Sequence, residues 1–431
     1  MQKVTKHKAF KFIQETGDVF EYAYKNNDLR VLIWENHSSP VVALNVTYLV
    51  GSRNEAVGHT GATHLLEHLM FKGSKKYNKK TGKLIDKIIF GMGAKANATT
   101  WLDRTNYWEL MPSERLPELI TLEADRMRGA ILDEKDLTSE MTVVRNEFER
   151  GENEPAEVLD KEIWATAYRE HPYHHQTIGW RSDVESVGIE KLRHFYDTYY
   201  WPNNACVIIS GNVKTTVALD LVDKYFGKIK HSPHAIPQVH TVEPKQEGAR
   251  RVILRRVGEP PIVTIAHKNS RALDPDTPAL EVLSGVLAKG RASRLYKILV
   301  DKALCTDVTA HNFGVYDPGL FTTTVNLVQG ISHDKVEKII LAEYERIKSE
   351  GVSASELERE KYNAKVELDF AKDGPLGMSL ALTEGLAVGD WTLVTRYAEL
   401  IAKVTRTKVQ EVARKYLIPD ASTIGFFIPK L

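Results

Sequence analysis

Two similar stretches of sequence decide the fold. Residues 191–211 read KLRHFYDTYYWPNNACVIISG, and residues 408–429 read KVQEVARKYLIPDASTIGFFIP. At an offset of 217 positions, the following residues match: Lys191 with Lys408, Tyr199 with Tyr416, and Pro202 with Pro419. Each stretch predicts a helix that ends before a proline and is followed by a strand of β-branched or aromatic residues. The chain is therefore predicted to contain two copies of one unit.

A second pair of segments supports this duplication. Residues 116–141 align with residues 336–361 at an offset of 220 positions. The matched pairs are Ile120 with Ile340, Arg126 with Arg346, Leu137 with Leu357, and Glu140 with Glu360. The alternative is two unrelated amphipathic helices of similar composition. The duplication is favoured because two separate segments agree on nearly the same offset.

The duplicated units predict the fold class. Residues 231–249 contain three prolines and interrupt the hydrophobic periodicity, which predicts a linker between a first repeat at 1–230 and a second at 250–431. Amphipathic helices such as 116–128 occur with strands such as 41–50 and 205–210, without strict alternation. We therefore expect an α+β protein in which each repeat is a mainly antiparallel sheet with helices packed on one face.

The overall composition excludes several classes of function. The 431 residues include 58 Lys and Arg against 57 Asp and Glu, so the net charge of +1 indicates neither nucleic-acid binding nor an anionic membrane partner. No apolar run approaches the ~20 residues that span a bilayer, and residues 1–20 lack the apolar core of a signal peptide. We expect a soluble protein without membrane insertion. It would be cytoplasmic as the sequence is written, or periplasmic if the sequence is a processed form.

One short motif predicts a metal site. Within residues 59–73, HTGATHLLEHLMFKG, two histidines stand at i and i+4, His64 and His68. On a helix these positions lie on one face with Cβ atoms ~5–6 Å apart, so both rings can reach one ion. Glu67 is better placed to hold a water beside the metal than to be a ligand. The H-x-x-E-H spacing is the inverted-zincin signature, which predicts one Zn²⁺ per chain rather than a core helix with satisfied polar groups.

A catalytic zinc usually has three protein ligands, so one more ligand is needed. The best region is residues 139–155, SEMTVVRNEFERGENEP, in which Glu140 and Glu147 are seven positions apart. Two helical turns separate them, so both lie on one face of the same helix. Spacing alone does not choose between them.

These motifs resemble the pitrilysin/insulinase family of metallopeptidases, in particular the branch of bacterial relatives of mitochondrial processing peptidase. The resemblance covers essentially the whole chain. It implies that Glu147 is the third zinc ligand, that Glu140 is a supporting carboxylate in the second shell, and that the repeats form one half of a clam-shell. It also implies a second repeat without the site. An alignment of Gly73 with Gly290 agrees, because it matches the three motif residues His64, Glu67 and His68 with Glu281, Ser284 and Gly285.

The family resemblance also implies a substrate-binding strand. Residues 91–112, GMGAKANATTWLDRTNYWELMP, match the segment that in the family forms the sheet edge beside the zinc. Asn97, Ala98 and Thr99 are the residues to which this role carries over, through backbone hydrogen bonds to an added peptide strand. An ordinary exposed strand would give the same pattern.

One family feature is missing from the sequence. Active members usually present an Arg and a Tyr about seven residues apart in the second repeat, but the corresponding positions hold Val300 and either Thr306 or Asp307. Arg291 and Arg294 are weak replacements. The resemblance therefore favours a heterodimer in which a second homologous subunit supplies the pair, with a homodimer as the alternative.

The predicted function is that of a zinc-dependent endopeptidase. It would hydrolyse peptides or unfolded segments in an enclosed chamber, with Glu67 activating a zinc-bound water. The alternative is a non-catalytic scaffold or recognition subunit of a peptidase-like complex. An intact metal motif argues against the scaffold, because a buried set of polar residues is costly without a function.

Overall fold

A computed structural model describes residues 4–430 of the chain. It contains twelve named strands: β1 (Phe10–Thr16), β2 (Val19–Tyr24), β3 (Arg30–Glu35), β4 (Val41–Tyr48), β5 (Lys95–Thr100), β6 (Thr105–Pro112), β7 (Ala205–Gly211), β8 (Arg250–Arg256), β9 (Ile262–Lys268), β10 (Cys305–Asn312), β11 (Leu320–Leu327) and β12 (Ser422–Pro429). The α-helices are α1 (Ala62–Leu69), α2 (Ile85–Gly91), α3 (Leu116–Gly129), α4 (Glu134–Glu152), α5 (Pro155–Ala167), α6 (Arg181–Ser186), α7 (Ile189–Tyr199), α8 (Thr215–Phe226), α9 (Thr277–Ala288), α10 (His333–Glu350), α11 (Ala354–Ala371), α12 (Pro375–Ala387), α13 (Thr392–Ala402) and α14 (Arg406–Tyr416).

The chain packs into two compact units that exchange segments. Unit 1 consists of the residues up to Asn146 together with Gln176–His240 and Asp369–Thr395. Unit 2 consists of Glu147–His175, Thr241–Leu368 and the residues from Arg396 onward. Each unit thus takes one helical segment from the other half of the sequence. The predicted linker, 231–249, contains neither helix nor strand. The boundaries 1–230 and 250–431 stay a prediction.

Unit 1 is built on a seven-stranded sheet. Its order is β1-β2-β3-β7-β4-β6-β5, and all neighbours are antiparallel except β3 and β7. Among residues 4–430, this order places β5 at one edge, with β6 as its only neighbour in the sheet. The predicted substrate-binding residues lie on β5. Within the part of the chain that the structure describes, no strand pairs with the outer edge of β5.

Both faces of the unit 1 sheet are covered by helices. On one face, Val31, Ile33 and other alternate strand residues pack with apolar side chains of α1, α3, α7 and α8. On the other face, Leu32 and Trp34 pack with Met378 and Leu382 of α12. The α+β class and the two mainly antiparallel sheets are confirmed. The expectation of helices on one face needs correction, because all seven residues of β7 are buried and such a strand requires cover on both sides.

Unit 2 repeats this architecture on a smaller scale. Its five-stranded sheet has the order β10-β11-β9-β12-β8, with β12 and β8 parallel and the other neighbours antiparallel. Helices α9, α10 and α14 share its main apolar core with the strands. Helix α5 packs on β8, β9 and β12. Each unit is therefore a mainly antiparallel sheet that contains one parallel pair of strands and has helices packed on it.

Candidate metal centre

The predicted metal motif lies on a short buried helix. Helix α1 begins after Gly61, which has a left-handed backbone (φ 86°). The carboxylate of Glu55 accepts hydrogen bonds from the backbone N–H groups of Gly61 (2.8 Å) and Thr63 (2.7 Å). These are donors that a helix N-terminus leaves without intrahelical partners. The apolar side of α1, formed by Leu65, Leu66 and Leu69, is completely buried. This packing fixes the directions in which the polar residues of α1 point.

The two histidines of α1 lie side by side. The ring centroids of His64 and His68 are 4.8 Å apart and the rings are nearly perpendicular. Burial, and secondly the neighbouring His68 ring, lower the pKa of His64 to about 4. The His64 imidazole is therefore neutral at physiological pH, which is the form that binds a metal.

Glu140 contacts His68 from helix α4. Its Oε2 lies 3.1 Å from Nδ1 of His68, and its Oε1 lies 2.5 Å from Nζ of Lys72. A carboxylate that accepts a hydrogen bond from one ring nitrogen fixes the tautomer and the orientation of the ring. Lys72 in turn holds the carboxylate, whose side chain is only 7% exposed. Lys72 was not among the predicted site residues, although its i+4 spacing from His68 was a usable signal.

Glu147 lies two turns further along the same continuous helix as Glu140. His64, His68 and Glu147 each offer one ligand atom, and these atoms all lie within 4.8 Å of one another. Among the described residues, this is the one group of three or more His, Cys, Asp or Glu side chains arranged in this way. Glu140 contacts His68 but is outside the group.

Glu67 is the third polar residue of the motif, and it is 8% exposed. Its Oε2 accepts a hydrogen bond of 2.5 Å from Oγ1 of Thr100 at the end of β5. Thr100 is a second contact that sequence analysis missed. The alternation of side chains along a strand was the available signal, because Thr100 shares a face with Ala98, which is in the same apolar core as α1.

The predicted substrate strand lies at the sheet edge. Asn97 pairs with Trp108, Ala98 with Tyr107, and Thr99 with Asn106, all on the β6 side of β5. Asn97 and Thr99 are exposed, whereas Ala98 is buried. These three residues are therefore brought to an edge position, and β5 contacts α1.

The residues aligned with the motif in the second half form a different arrangement. Glu281, Ser284 and Gly285 lie on α9 of unit 2. A Cβ atom on Gly285 would stand 2.3 Å from Oε2 of Glu360, so that carboxylate fills the space beside the glycine. Burial raises the pKa of Glu281 to about 7. This half offers carboxylates in place of imidazoles.

The positions expected to carry an Arg and a Tyr also lie in unit 2. Val300 ends a π-helical turn, Tyr296–Val300, and Thr306 and Asp307 lie in β10. Arg294 forms ion pairs with Glu343 (3.0 Å) and Glu356 (2.7 Å). Arg294 is therefore engaged within its own unit, and Arg291 is the exposed arginine of the two replacements.

Comparison with known proteins decides the family. Residues 30–180 match the model described as "Insulinase (Peptidase family M16)", and residues 186–363 match the one described as "Peptidase M16 inactive domain". The chain belongs to the insulinase family, peptidase family M16. The resemblance stated from the motifs is thus confirmed.

Individual relatives agree with this assignment. A Helicobacter pylori protein named zinc protease PqqE is 31% identical over 393 residues, which are 90% of this chain and 88% of that protein. An Arabidopsis thaliana protein named "Probable mitochondrial-processing peptidase subunit beta, mitochondrial" is 25% identical over 406 residues, 91% of this chain and 75% of that protein. A solved structure of a protease from Helicobacter pylori has a TM-score of 0.90 and 30% identity, and covers 95% of this chain and 99% of that one.

These names support a peptidase family that includes proteins named zinc proteases. Among the described residues, no helix combines the length and the apolar character needed to cross a membrane.

Proposed function

We propose that this M16 chain is a zinc-dependent endopeptidase that hydrolyses peptides or unfolded segments. His64, His68 and Glu147 would hold the ion. The observation that carries the proposal is the grouping of these ligand atoms within 4.8 Å of one another. Two imidazoles and one carboxylate are a donor set of catalytic zinc sites, which keep a fourth position for water or substrate.

The residues fit zinc on chemical grounds. In a tetrahedral site with Zn–N and Zn–O bonds of ~2.0–2.2 Å, two ligand atoms of one ion lie roughly 3.3–3.6 Å apart. Ligand atoms within 4.8 Å of one another would therefore have to approach by at most about 1.5 Å. The hydrogen bond between Glu140 and Nδ1 of His68 (3.1 Å) leaves Nε2 of this ring as its metal-binding atom. Glu140 would thus support the site by holding the ring of His68, without binding the metal.

Glu67 would move the protons of the reaction. Zinc, when bound, supplies Lewis-acid chemistry that makes a water molecule more acidic and a carbonyl carbon more electrophilic. Glu67 would take the proton from the attacking water and pass it to the amine that leaves. Its position one residue before a proposed ligand, at 8% exposure, supports this role.

The substrate would bind as an added strand. β5 is the edge of the unit 1 sheet, and Asn97, Ala98 and Thr99 would pair with an extended peptide through backbone N–H and C=O groups. Such pairing requires an extended substrate and reads little of its sequence. We therefore infer a preference for unfolded segments.

A second subunit is the proposed partner. The side chains of Val300 and Asp307 offer no donor to an oxyanion, and the Thr306 hydroxyl donates to the backbone oxygen of Asn326 (3.2 Å). Arg294 is paired with Glu343 and Glu356. A heterodimer with a homologous subunit that carries the pair is preferred over a homodimer. Cleavage that appears only after such a subunit is added would support the heterodimer, and full activity of this chain alone would contradict it.

The central experiment is Glu67→Gln, with Glu190→Gln as the matched control on an exposed helix position. Zinc content is measured by mass spectrometry, and cleavage of an unstructured fluorogenic peptide is measured in the preparation that shows wild-type activity. We expect Glu67→Gln to keep stoichiometric zinc and to lose about 100- to 10,000-fold of the rate. Wild-type cleavage by this variant would refute the proposal. A wild-type chain that takes up no zinc would favour the scaffold alternative.

A further inference from the structure

Thr100 contacts the proposed general base directly. Its Oγ1 donates a hydrogen bond of 2.5 Å to Oε2 of Glu67. Thr100 is the last residue of β5, paired with Thr105, and Glu67 lies on α1. Both residues belong to unit 1. Within one compact unit, the contact therefore joins β5, the proposed substrate strand, to α1, the helix that carries His64 and His68.

The two neighbouring threonines of β5 have different surroundings. Thr99 donates through Oγ1 to Oδ1 of Asn106 (2.7 Å), on the face of the sheet opposite to α1. Successive strand residues point to opposite faces, so Thr100 points towards α1. The hydroxyl of Thr100 is thus directed at Glu67 by strand geometry.

The end of β5 is held in place before any substrate binds. Arg104 donates to the backbone oxygen of Thr99 (2.9 Å) and to its Oγ1 (2.6 Å), and it also pairs with Glu384 (2.5 Å). The turn after β5 is hydrogen-bonded to the segment that precedes α1, since Ser52 N donates to Trp101 O (3.1 Å). A donor on such a support keeps its direction during the reaction, which is the condition for pre-organised catalysis.

We propose that Thr100 is a positioning residue that orients the carboxylate of Glu67. The terminal torsion of a glutamate is broad and roughly two-fold, so a carboxylate without a fixed donor can rotate. A hydrogen bond on Oε2 sets the plane of the group and hence the direction of Oε1. This inference rests on the proposed function, because it requires that Glu67 act as the base.

The strand would then have two tasks. The outer backbone edge of β5 would bind the peptide, while the side chain of Thr100 aligns the base. Loss of the hydroxyl leaves the backbone of β5 intact. We therefore expect an effect on kcat with little effect on KM.

The test compares Thr100→Val, which keeps the shape and removes the donor, with Thr100→Ser, which keeps the donor. Thr198→Val is the matched control, since the Thr198 hydroxyl donates only within its own helix, to His194 O (2.7 Å). We expect Thr100→Val to lower kcat by about 10- to 100-fold at unchanged KM and unchanged zinc content, and Thr100→Ser to restore most of the rate.

A binding measurement gives a readout that does not depend on turnover. A peptide hydroxamate gives up its proton when it binds a metal, and an aligned carboxylate accepts that proton. We expect Thr100→Val to weaken hydroxamate binding about 10-fold, and Thr100→Ser to bind as wild type. Thr100→Ala provides a second donor-free variant if the valine lowers the melting temperature.

The outcomes separate the two proposals. Glu67→Gln that cleaves as wild type refutes the proposed function itself. If Glu67→Gln is inactive but the donor-free Thr100 variants match wild type in both assays, the proposed role of Thr100 is wrong and the proposed function stands. Loss of zinc from Thr100→Val, or failure of Thr100→Ser to restore kcat, would also overturn it, because the effect would then be structural.

Discussion

The substitution Arg126→Met tests how much a buried group of ion pairs stabilises unit 1. Arg126 is 1% exposed and contacts two buried carboxylates, Glu123 and Glu109 (3.5 Å). Its guanidinium lies over the ring of Tyr107, 4.4 Å from the centroid. Removing one partner of a buried ionic group costs about 3–5 kcal/mol, because the remaining charge stays buried without compensation.

The expected shift in melting temperature follows from this free energy. One kcal/mol corresponds to about 2–4 °C for a unit of 150–250 residues, so Arg126→Met should lower the transition of unit 1 by about 6–20 °C. The control is Arg346→Met at the aligned position of the second half. Arg346 is 54% exposed, and its pair with Glu350 (3.1 Å) is a surface pair, worth about 0–1 kcal/mol. Scanning calorimetry and denaturant titration measure both variants.

The effect of Arg126→Met should also depend on pH. Burial, and next the nearby Glu123, raise the pKa of Glu109 well above its usual range, and Arg126 is the group that lowers it. Without Arg126 this pKa rises further. A carboxyl with a raised pKa in the folded state adds stability that is present below its unfolded pKa and lost as the pH rises. The difference from wild type should therefore widen as the pH rises above the folded-state pKa that Glu109 has in wild type. Equal losses for Arg126→Met and Arg346→Met at every pH measured would refute the reasoning.

Three further predictions concern the metal helix. Lys72→Met removes the cation 2.5 Å from Glu140 and should weaken zinc binding about 10-fold in a chelator competition assay. The control Lys76→Met removes a cation 3.9 Å from Asp125 and should leave zinc binding unchanged. Equal zinc affinities of the two variants would contradict the role of Lys72. Glu55→Ala removes the acceptor of two backbone N–H groups at the start of α1 and should lower the free energy of unfolding by about 1–3 kcal/mol. If the exposed control Glu190→Ala lowers the free energy of unfolding as much, the prediction is wrong. Removal of zinc by a chelator should abolish cleavage, and re-addition should restore it at one ion per chain; two bound ions would contradict the assignment of a single site.

Much of the candidate site was predictable because its residues are close in sequence or regularly spaced. The i and i+4 histidines and the seven-residue spacing of Glu140 and Glu147 are properties of single helices. Their partners are different. Thr100 and Glu67 are 33 positions apart, and a threonine at a strand end has no distinctive pattern. Only the pairing of β5 and the packing of α1 bring these two residues together.

The fold was predictable in class but not in the exchange of segments. An amphipathic pattern shows that a helix packs on a sheet, but it does not show on which one. Helix α12 belongs to unit 1 and α5 to unit 2 because of long-range packing. One local signal did exist, since ACVIISG in β7 lacks the alternation of a half-exposed strand. The burial of Arg126 had no such signal, because Glu123 and Arg126 at i and i+3 resemble a surface pair.

Unit 2 contains the aligned helices α9 and α11, without the histidines of the motif. In unit 1, Glu140 stops at hydrogen-bond distance from the ring of His68 (3.1 Å). In unit 2, the aligned Glu360 reaches so far that its Oε2 is 2.3 Å from where a Cβ of Gly285 would be. This carboxylate receives hydrogen bonds from Arg359 (2.8 Å) and Asn363 (3.1 Å) instead. In unit 2 this carboxylate therefore occupies the space beside the glycine that is aligned with His68. A histidine at position 285 would meet an occupied space, so a metal site at this place in unit 2 would require Glu360 to move.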